Sequence, residues 1–76
     1  MRPPLTPWYR FGGGQQRTLR RPYLDAQVLP VAGGAWRWDV QTVDGQIVSI
    51  GTAPTRQAGR VAATAVLIDA LEGGQK

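Results

Sequence analysis

The chain has 76 residues, of which nine are basic and five acidic, and its formal net charge is +4. This length allows one small core, and the absence of Cys and His excludes disulfides, thiol catalysis, most zinc sites and the commonest general acid–base side chain. The hydrophobic fraction of 42% is well above that of a disordered chain, so we expect a folded protein.

The first predicted segment, residues 1–22, is a basic arm without regular structure. Its charged residues are all arginines, its prolines oppose helix formation, and a flexible glycine run lies among them. The arginines are Arg2, Arg10, Arg17, Arg20 and Arg21, and the aromatic residues are Trp8, Tyr9 and Phe11. Such a charge asymmetry between segments indicates an acidic partner.

Neither a signal peptide nor a membrane-spanning segment is predicted. The N-terminal residues are rich in proline and lack an apolar stretch. The most apolar run, Val61 to Leu71, is interrupted by Thr64 and Asp69. We therefore expect a cytoplasmic protein that does not contact membranes.

Two strand patterns follow the arm. The segment Tyr23–Val31 alternates apolar with polar residues, and Pro30 indicates an edge position or the end of the strand. The segment Trp36–Thr42 alternates more clearly. One face of this second strand carries Trp36, Trp38 and Val40, and the other carries Arg37, Asp39 and Gln41.

Asp44-Gly45 predicts a hairpin between the second strand and a third strand from Gln46 to about Thr52. A two-residue loop would place Val48 and Ile50 on the same face as Arg37 and Asp39, away from the tryptophans. A three-residue loop with Gly45 in the left-handed conformation pairs Val40 with Val48 and Trp38 with Ile50. Because a shift of one residue reverses every side chain, burial favours the three-residue loop. The predicted buried face is Trp36, Trp38, Val40, Val48 and Ile50.

A helix is predicted after the third strand. Thr55 is a favourable N-cap, the helix continues to about Leu71, and Gly73-Gly74 ends it. Its predicted apolar stripe consists of small and medium-sized residues, which would let the helix lie close to a sheet that supplies tryptophans. The stripe is Ala58, Val61, Ala62, Ala65 and Ile68.

These elements predict an α+β fold, a three-stranded antiparallel sheet packed against one C-terminal helix (βββα). We expect a basic arm at residues 1–22, the βββα domain at residues 23–72 and a frayed tail at residues 73–76.

The candidate binding residues are basic and aromatic. In the arm, arginines could contact phosphates while aromatic rings stack on bases, or both could dock on an acidic protein surface. The aromatic rings could instead cover the small core. Arg56 and Arg60 lie in the first turns of the helix, where the helix dipole favours anions. Together with Arg37 on the exposed sheet face, the candidates are Trp8, Tyr9, Arg10, Phe11, Arg17, Arg20, Arg21, Arg37, Arg56 and Arg60.

No catalytic site is predicted. Asp25 and Asp39 could be neighbours on the outward sheet face, but no third group completes an acid–base or metal site. We expect a protein without enzymatic activity, cofactor or metal.

From Tyr23 to Leu71 the predicted layout, with its Trp36-Arg37-Trp38 strand, resembles the three-strand-plus-helix domains at the N-termini of phage integrases and in related plant transcription factors. The resemblance implies a sheet that enters the DNA major groove, although the outward Asp39 departs from a basic reading face. In its small size and its lack of a recognisable motif, the chain also resembles small orphan proteins of phages and mobile elements, including anti-CRISPR inhibitors. This resemblance involves no matching residue. That resemblance implies a protein that acts by occupying a surface.

The function we expect is therefore binding without chemistry. The first hypothesis is an inhibitor or adaptor that docks on an acidic protein surface or a nucleoprotein complex, in its sharpest form an anti-CRISPR that blocks a nucleoprotein effector. The alternative is a module that binds DNA or RNA directly through the arm and sheet. A third hypothesis is a structural part of a phage particle.

Overall fold

The computed structural model describes residues 5–20 and 23–73. They form a five-stranded antiparallel sheet and a C-terminal helix. The α+β class is confirmed, whereas the count of three strands is wrong. The strands are β1 (Tyr9–Phe11), β2 (Gly14–Arg20), β3 (Tyr23–Pro30), β4 (Trp36–Thr42) and β5 (Ile47–Ala53), a short 3-10 turn spans Ala32–Gly34, and the helix is α1 (Arg56–Gly73). The predicted tail beyond Gly73 lies outside the described residues.

The prediction of an irregular arm is wrong for residues 9–20, which form the β1–β2 hairpin. Gly12, with a φ of 60°, turns the chain between the two strands. Leu19 of β2 is fully buried and pairs with Leu24 of β3. Before β1, Leu5 forms an isolated bridge with Leu19. The buried Leu19 and the ladder between β2 and β3 therefore attach this basic segment to the rest of the sheet.

The core lies between α1 and one face of the sheet. Its buried residues come from the three strands β2, β3 and β4 and from one stripe of α1. They are Leu19, Leu24, Ala26, Val40, Ala63 and Leu67, and Val28 is buried as well. Burying a side chain of the size of Leu or Val contributes about 1.5–3 kcal/mol relative to leaving it exposed. Partly buried apolar residues, Trp8 and Trp38 among them, pack against this cluster and add to the stabilisation.

The start of α1 agrees with the sequence prediction, but the predicted stripe is wrong. The backbone N–H of Ala58 donates to Thr55 Oγ1 at 3.0 Å, which confirms Thr55 as the N-cap. The residues that α1 buries are Gly59, Ala63 and Leu67, whereas Val61 is 59% exposed. A Cβ at position 59 would lie 3.1 Å from a methyl group of Val28. The helix therefore turns its glycine to the sheet for the closest approach.

The β4–β5 hairpin has the predicted loop but not the predicted register. The N–H of Thr42 donates to the carbonyl of Gln46 at 2.9 Å, and Gly45 has a φ of 90°, as expected for the three-residue loop. After Gln41 pairs with Ile47, however, a bulge at Val48 shifts the strand.

As a result of this bulge, Val40 pairs with Ser49, Trp38 with Gly51, and Asp39 with Ile50. A Cβ at Gly51 would lie only 2.7 Å from the Trp38 ring, so the indole packs directly over the glycine. Ile50 consequently lies on the face of Asp39 and is 53% exposed. The prediction that Val48 and Ile50 join the buried tryptophan face is wrong.

Candidate basic binding surface

Arg17 joins three parts of the chain at one edge of the helix. Its guanidinium carbon lies 5.6 Å from the centre of the Trp8 ring. Its Nε donates to the carbonyl of Thr6 at 2.7 Å, and Nη1 donates to the Thr64 hydroxyl of α1 at 3.1 Å. Trp8 in turn packs against the core. The structure therefore holds Arg17 and Trp8 in place by internal contacts.

A second arginine–tryptophan pair lies at the start of α1. The guanidinium carbon of Arg56, the first residue of the helix, lies 5.9 Å from the centre of the Trp36 ring. A cation at a helix N-terminus is disfavoured by about 0.3–1 kcal/mol. A cation–π contact of about 0.5–1 kcal/mol at an exposed site is of similar size and opposite sign. The indole therefore offsets the unfavourable position of Arg56.

Two cavities lie where the N-terminal segment meets α1. The first has a volume of about 450 Å³; Trp8 and Arg17 line one side, and Arg60 and an apolar strip of Val61, Ala65 and Ile68 line the helical side. The second, of about 310 Å³, is lined by Arg10, Gly12–Gly14, Gln15, Trp36 and Arg56. No carboxylate is present among the described residues that line either cavity.

Each cavity also contains a buried polar atom without a protein partner. Within residues 5–20 and 23–73, Arg60 Nε at the first cavity and Gln15 Oε1 at the second make no hydrogen bond. A buried polar group left unpaired costs about 1–3 kcal/mol. A bound group that pairs with these atoms would recover that free energy.

We call the residues that converge here the arginine–tryptophan surface, which consists of Trp8, Arg10, Arg17, Trp36, Arg56 and Arg60. Five of these six residues were candidates from the sequence. Trp36 was missed as a site residue because its alternation with Trp38 assigned it to the core. It lies at the first position of β4, where α1 begins nearby, and is only half-buried.

The other sequence candidates lie elsewhere. Tyr9 pairs with Gln16 and is 42% exposed on the sheet face that α1 does not cover. Arg20 is exposed at the end of β2, where it pairs with Tyr23. The side chain of Phe11, and Arg21 as a whole, lie outside the described part of the structure. Trp8, beside α1, and Tyr9 therefore lie on opposite faces of the sheet.

The uncovered sheet face carries the carboxylates of the strands. Arg37 pairs with Asp39 at 3.5 Å, and the Gln41 amide donates to Asp39 at 3.2 Å. The Thr18 hydroxyl donates to Asp25 at 2.7 Å. Both candidate acids are thus engaged by neighbours on the sheet. Among the residues described, no group of three or more acids could hold a metal ion.

Two side chains outside the arginine–tryptophan surface have shifted pKa values. The negative charge of Asp25, followed by partial burial and a hydrogen bond to Asp25, raises the pKa of the Tyr23 phenol. The hydroxyl of Thr42 donates to the carboxylate of Asp44 in the β4–β5 turn, and this hydrogen bond lowers the pKa of Asp44. Both shifts arise mainly from contacts between residues two positions apart in the chain.

No family model, curated protein or solved structure matches the chain. In the part of the chain that the structure describes, no helix has the length and apolar character needed to cross a membrane.

Proposed function

We propose that this chain is a small non-catalytic binding protein that engages a larger acidic partner through the arginine–tryptophan surface and thereby inhibits or adapts that partner. The observation that carries this proposal is the convergence of Arg10, Arg17, Arg56 and Arg60 around two cavities whose described linings contain no carboxylate. These arginines come from β1, β2 and α1, so the fold concentrates the positive charge.

The electrostatics of this surface favour an anionic group. Its cations surround the N-terminal half of α1, where the helix dipole adds a partial positive charge, and the first turn contains no acid. Like charges held together repel each other in the free protein. An acidic partner would remove this repulsion and would supply acceptors for guanidinium groups.

The aromatic geometry favours a protein partner over stacked bases. One face of the Trp8 indole is covered by Arg17, and one face of the Trp36 indole by Arg56. Base stacking needs an accessible aromatic face. The first cavity instead offers an apolar strip of Val61, Ala65 and Ile68 beside Arg60, which suits a segment that carries both carboxylates and apolar side chains.

The sharpest form of the proposal is an anti-CRISPR-type block of a nucleoprotein effector. It rests on the resemblance in size and style to small mobile-element proteins. A basic inhibitor would not mimic DNA, and it would compete for an acidic patch of the effector. Such an inhibitor should form a stoichiometric complex with the effector that survives moderate salt.

Binding of defined probes tests the proposal. The probes are a labelled peptide that alternates Glu with Leu, random duplex DNA and random single-stranded RNA, each titrated by fluorescence anisotropy at low and physiological salt. We expect the peptide to bind and the triple variant Arg10→Glu, Arg56→Glu, Arg60→Glu to lose at least about tenfold in affinity, since each lost charged contact contributes about 1.5–3 kcal/mol. The matched control is Arg20→Glu, which lies on the uncovered sheet face and should bind like the wild type.

Two outcomes would contradict the proposal. A loss of affinity in Arg20→Glu equal to that in the single variant Arg60→Glu would show that net charge, and not the arginine–tryptophan surface, drives binding. Tight binding of DNA or RNA that weakens steeply with salt, together with no binding of the peptide, would replace it with the alternative of a nucleic-acid-binding module.

A further inference from the structure

The two cavities of the arginine–tryptophan surface follow each other along one groove, and two strands show the step between them. Trp8 lines the first cavity, and Arg10, two residues further along the chain, lines the second. Strand β2 repeats this step in the opposite direction, with Arg17 at the first cavity and Gln15, which pairs with Arg10, at the second. Two residues of extended chain span about 6.6 Å, so the strands set the two cavities one such step apart.

The helix gives the same step. Arg60 lines the first cavity, and Arg56, one turn closer to the start of α1, lines the second. Four helical residues rise by about 6 Å, which agrees with the step along the strands. Three elements therefore form the walls of one groove with two compartments.

The first compartment, of about 450 Å³, suits an apolar side chain. Its helical wall carries the strip of Val61, Ala65 and Ile68. Val61 and Ile68 are 59% and 40% exposed, so apolar area is left for a ligand to cover. Arg17 in this compartment already donates hydrogen bonds to two groups of the protein. Apolar contact, more than charge, is therefore what this compartment offers.

The second compartment, of about 310 Å³, suits a carboxylate. Arg10 and Arg56 line it together with the Gly12–Gly14 turn, and the described residues around it include no acid. A Cβ added at Gly12 or Gly13 would meet nothing within 4 Å, so the turn leaves open space beside the two arginines. Guanidinium groups form strong, charge-assisted hydrogen bonds with carboxylates.

We propose that the groove binds an extended segment of the partner protein with the motif acid–any residue–apolar, the carboxylate in the second compartment and the apolar side chain in the first. This inference rests on the proposed function, because it specifies which segment of an acidic partner the arginine–tryptophan surface takes. In an extended chain, residues i and i+2 lie on the same side about 6.6 Å apart, and the residue between them points away. That spacing equals the step between the compartments.

A helical segment fits the groove less well. Side chains at i and i+4 of a helix are also about 6 Å apart along its axis. A helix with its side chains is, however, about 10–12 Å wide, whereas the cube root of the volume of the second compartment, about 310 Å³, is only about 7 Å. This width favours a single extended chain.

Peptides of one composition test the spacing. Each carries one Glu and one Leu in a serine host with blocked ends, and the two residues lie one, two, three or four positions apart in either order. NMR titration of the isotopically labelled full chain measures even weak affinities, with the indole N–H signals of Trp8 and Trp36 as reporters. We expect the tightest binding at a spacing of two, by about tenfold, because every other spacing loses one of the two contacts.

A double-mutant cycle tests which compartment takes which side chain. Arg56→Gln should weaken binding of the best peptide by about tenfold and should have little effect when Ser replaces the Glu of the peptide. Val61→Ser should show the same dependence on the Leu of the peptide. Circular dichroism shows whether both variants stay folded. The matched controls, Arg20→Gln and Val43→Ser, lie outside both compartments and should bind like the wild type.

Equal affinity at every spacing would overturn the motif, and tightest binding at a spacing of three or four would replace it with a helical segment. Dependence of Arg56→Gln on the Leu instead of the Glu would overturn the assignment of the compartments. If the alternating Glu–Leu peptide binds through the arginine–tryptophan surface while the spacing has no effect, the proposed function stands and this inference falls. If no peptide of either kind binds, both fall.

Discussion

At the scale of single residues, Arg17 shows how a charged side chain can serve the fold. It lies on a strand in a basic segment, yet it donates hydrogen bonds to Thr6 and Thr64 and stacks over Trp8. Among the four arginines of the arginine–tryptophan surface, Arg17 is the one that donates two hydrogen bonds to other parts of the described structure. Arg17 therefore positions the surface, whereas Arg10, Arg56 and Arg60 are the better candidates for contact with a partner.

Replacement of Arg17 by Ala should lower the free energy of unfolding by about 1–3 kcal/mol, since part-buried charged hydrogen bonds and a cation–π contact are lost together. Urea denaturation followed by tryptophan fluorescence measures the change. The matched control is Arg10→Ala on the neighbouring strand, which should unfold close to the wild type. Equal stability of Arg17→Ala and the wild type would show that the contacts of Arg17 contribute little.

The pair of Tyr23 and Asp25 predicts a pH dependence at the alkaline end. The pKa of Tyr23 is raised in the folded chain, mainly by the charge of Asp25. Its contribution to stability is therefore fully present below the unfolded phenol pKa of about 10 and is lost as the pH rises through the higher folded pKa. Asp25→Asn should move the Tyr23 pKa down toward its ordinary value.

Ultraviolet absorbance of the tyrosinate ion measures that shift, with Tyr23→Phe and Tyr9→Phe as controls that assign the two tyrosines. An unchanged titration of Tyr23 in Asp25→Asn would mean that the carboxylate is not the cause of the shift.

At the scale of secondary-structure elements, sequence patterns located β4 and the start of α1 because their signals are local. The alternation from Trp36 to Thr42 and the N-cap at Thr55 each depend on a few neighbouring residues. The β1–β2 hairpin was missed because the outward and inward positions of β2 are mostly polar, Gln and Arg among them. Only Leu19 marks the buried side, and one apolar residue does not form a pattern.

The rotation of α1 and the bulge at Val48 were missed for a different reason. Both depend on how closely two elements can approach at a glycine, Gly59 against Val28 and Gly51 against Trp38. Apolar periodicity favours the larger side chains and gives no weight to glycines. Most residues of the arginine–tryptophan surface were predicted from the sequence. Their convergence was not predicted, because it depends on β1 and β2, which the sequence patterns did not reveal.

Gly51 controls the pairing of β4 with β5, and its replacement tests that register. Gly51→Ala should destabilise the protein by about 1–3 kcal/mol, because the new methyl group would meet the Trp38 indole at 2.7 Å and overpacked sites cost about this much. The control is Gly13→Ala, where nothing lies within 4 Å of the added carbon. Chemical denaturation of both variants measures the difference. A neutral Gly51→Ala would indicate that Trp38 does not cover this position.

At the scale of the whole molecule, the arginines of the arginine–tryptophan surface lie apart from the acids, whereas Arg37 pairs with Asp39 on the uncovered sheet face. The arginine–tryptophan surface surrounds the N-terminal half of α1. The acids Asp25 and Asp39 lie on the uncovered sheet face, and Asp69 and Glu72 lie near the end of α1. Such a distribution orients an approaching acidic partner toward one side and speeds association at low ionic strength.

The order of strands in the sheet, β1-β2-β3-β4-β5, repeats their order along the chain. Each strand therefore pairs with the strand before it in the chain, across a short connection. Because such contacts are mostly local, little loop-closure entropy is lost before stabilising contacts form. The hairpins can form one after another as soon as their residues are available. The bond between Arg17 and Thr64, which spans 47 residues, depends on the C-terminal helix. The arginine–tryptophan surface is therefore complete only when α1 lies on the sheet.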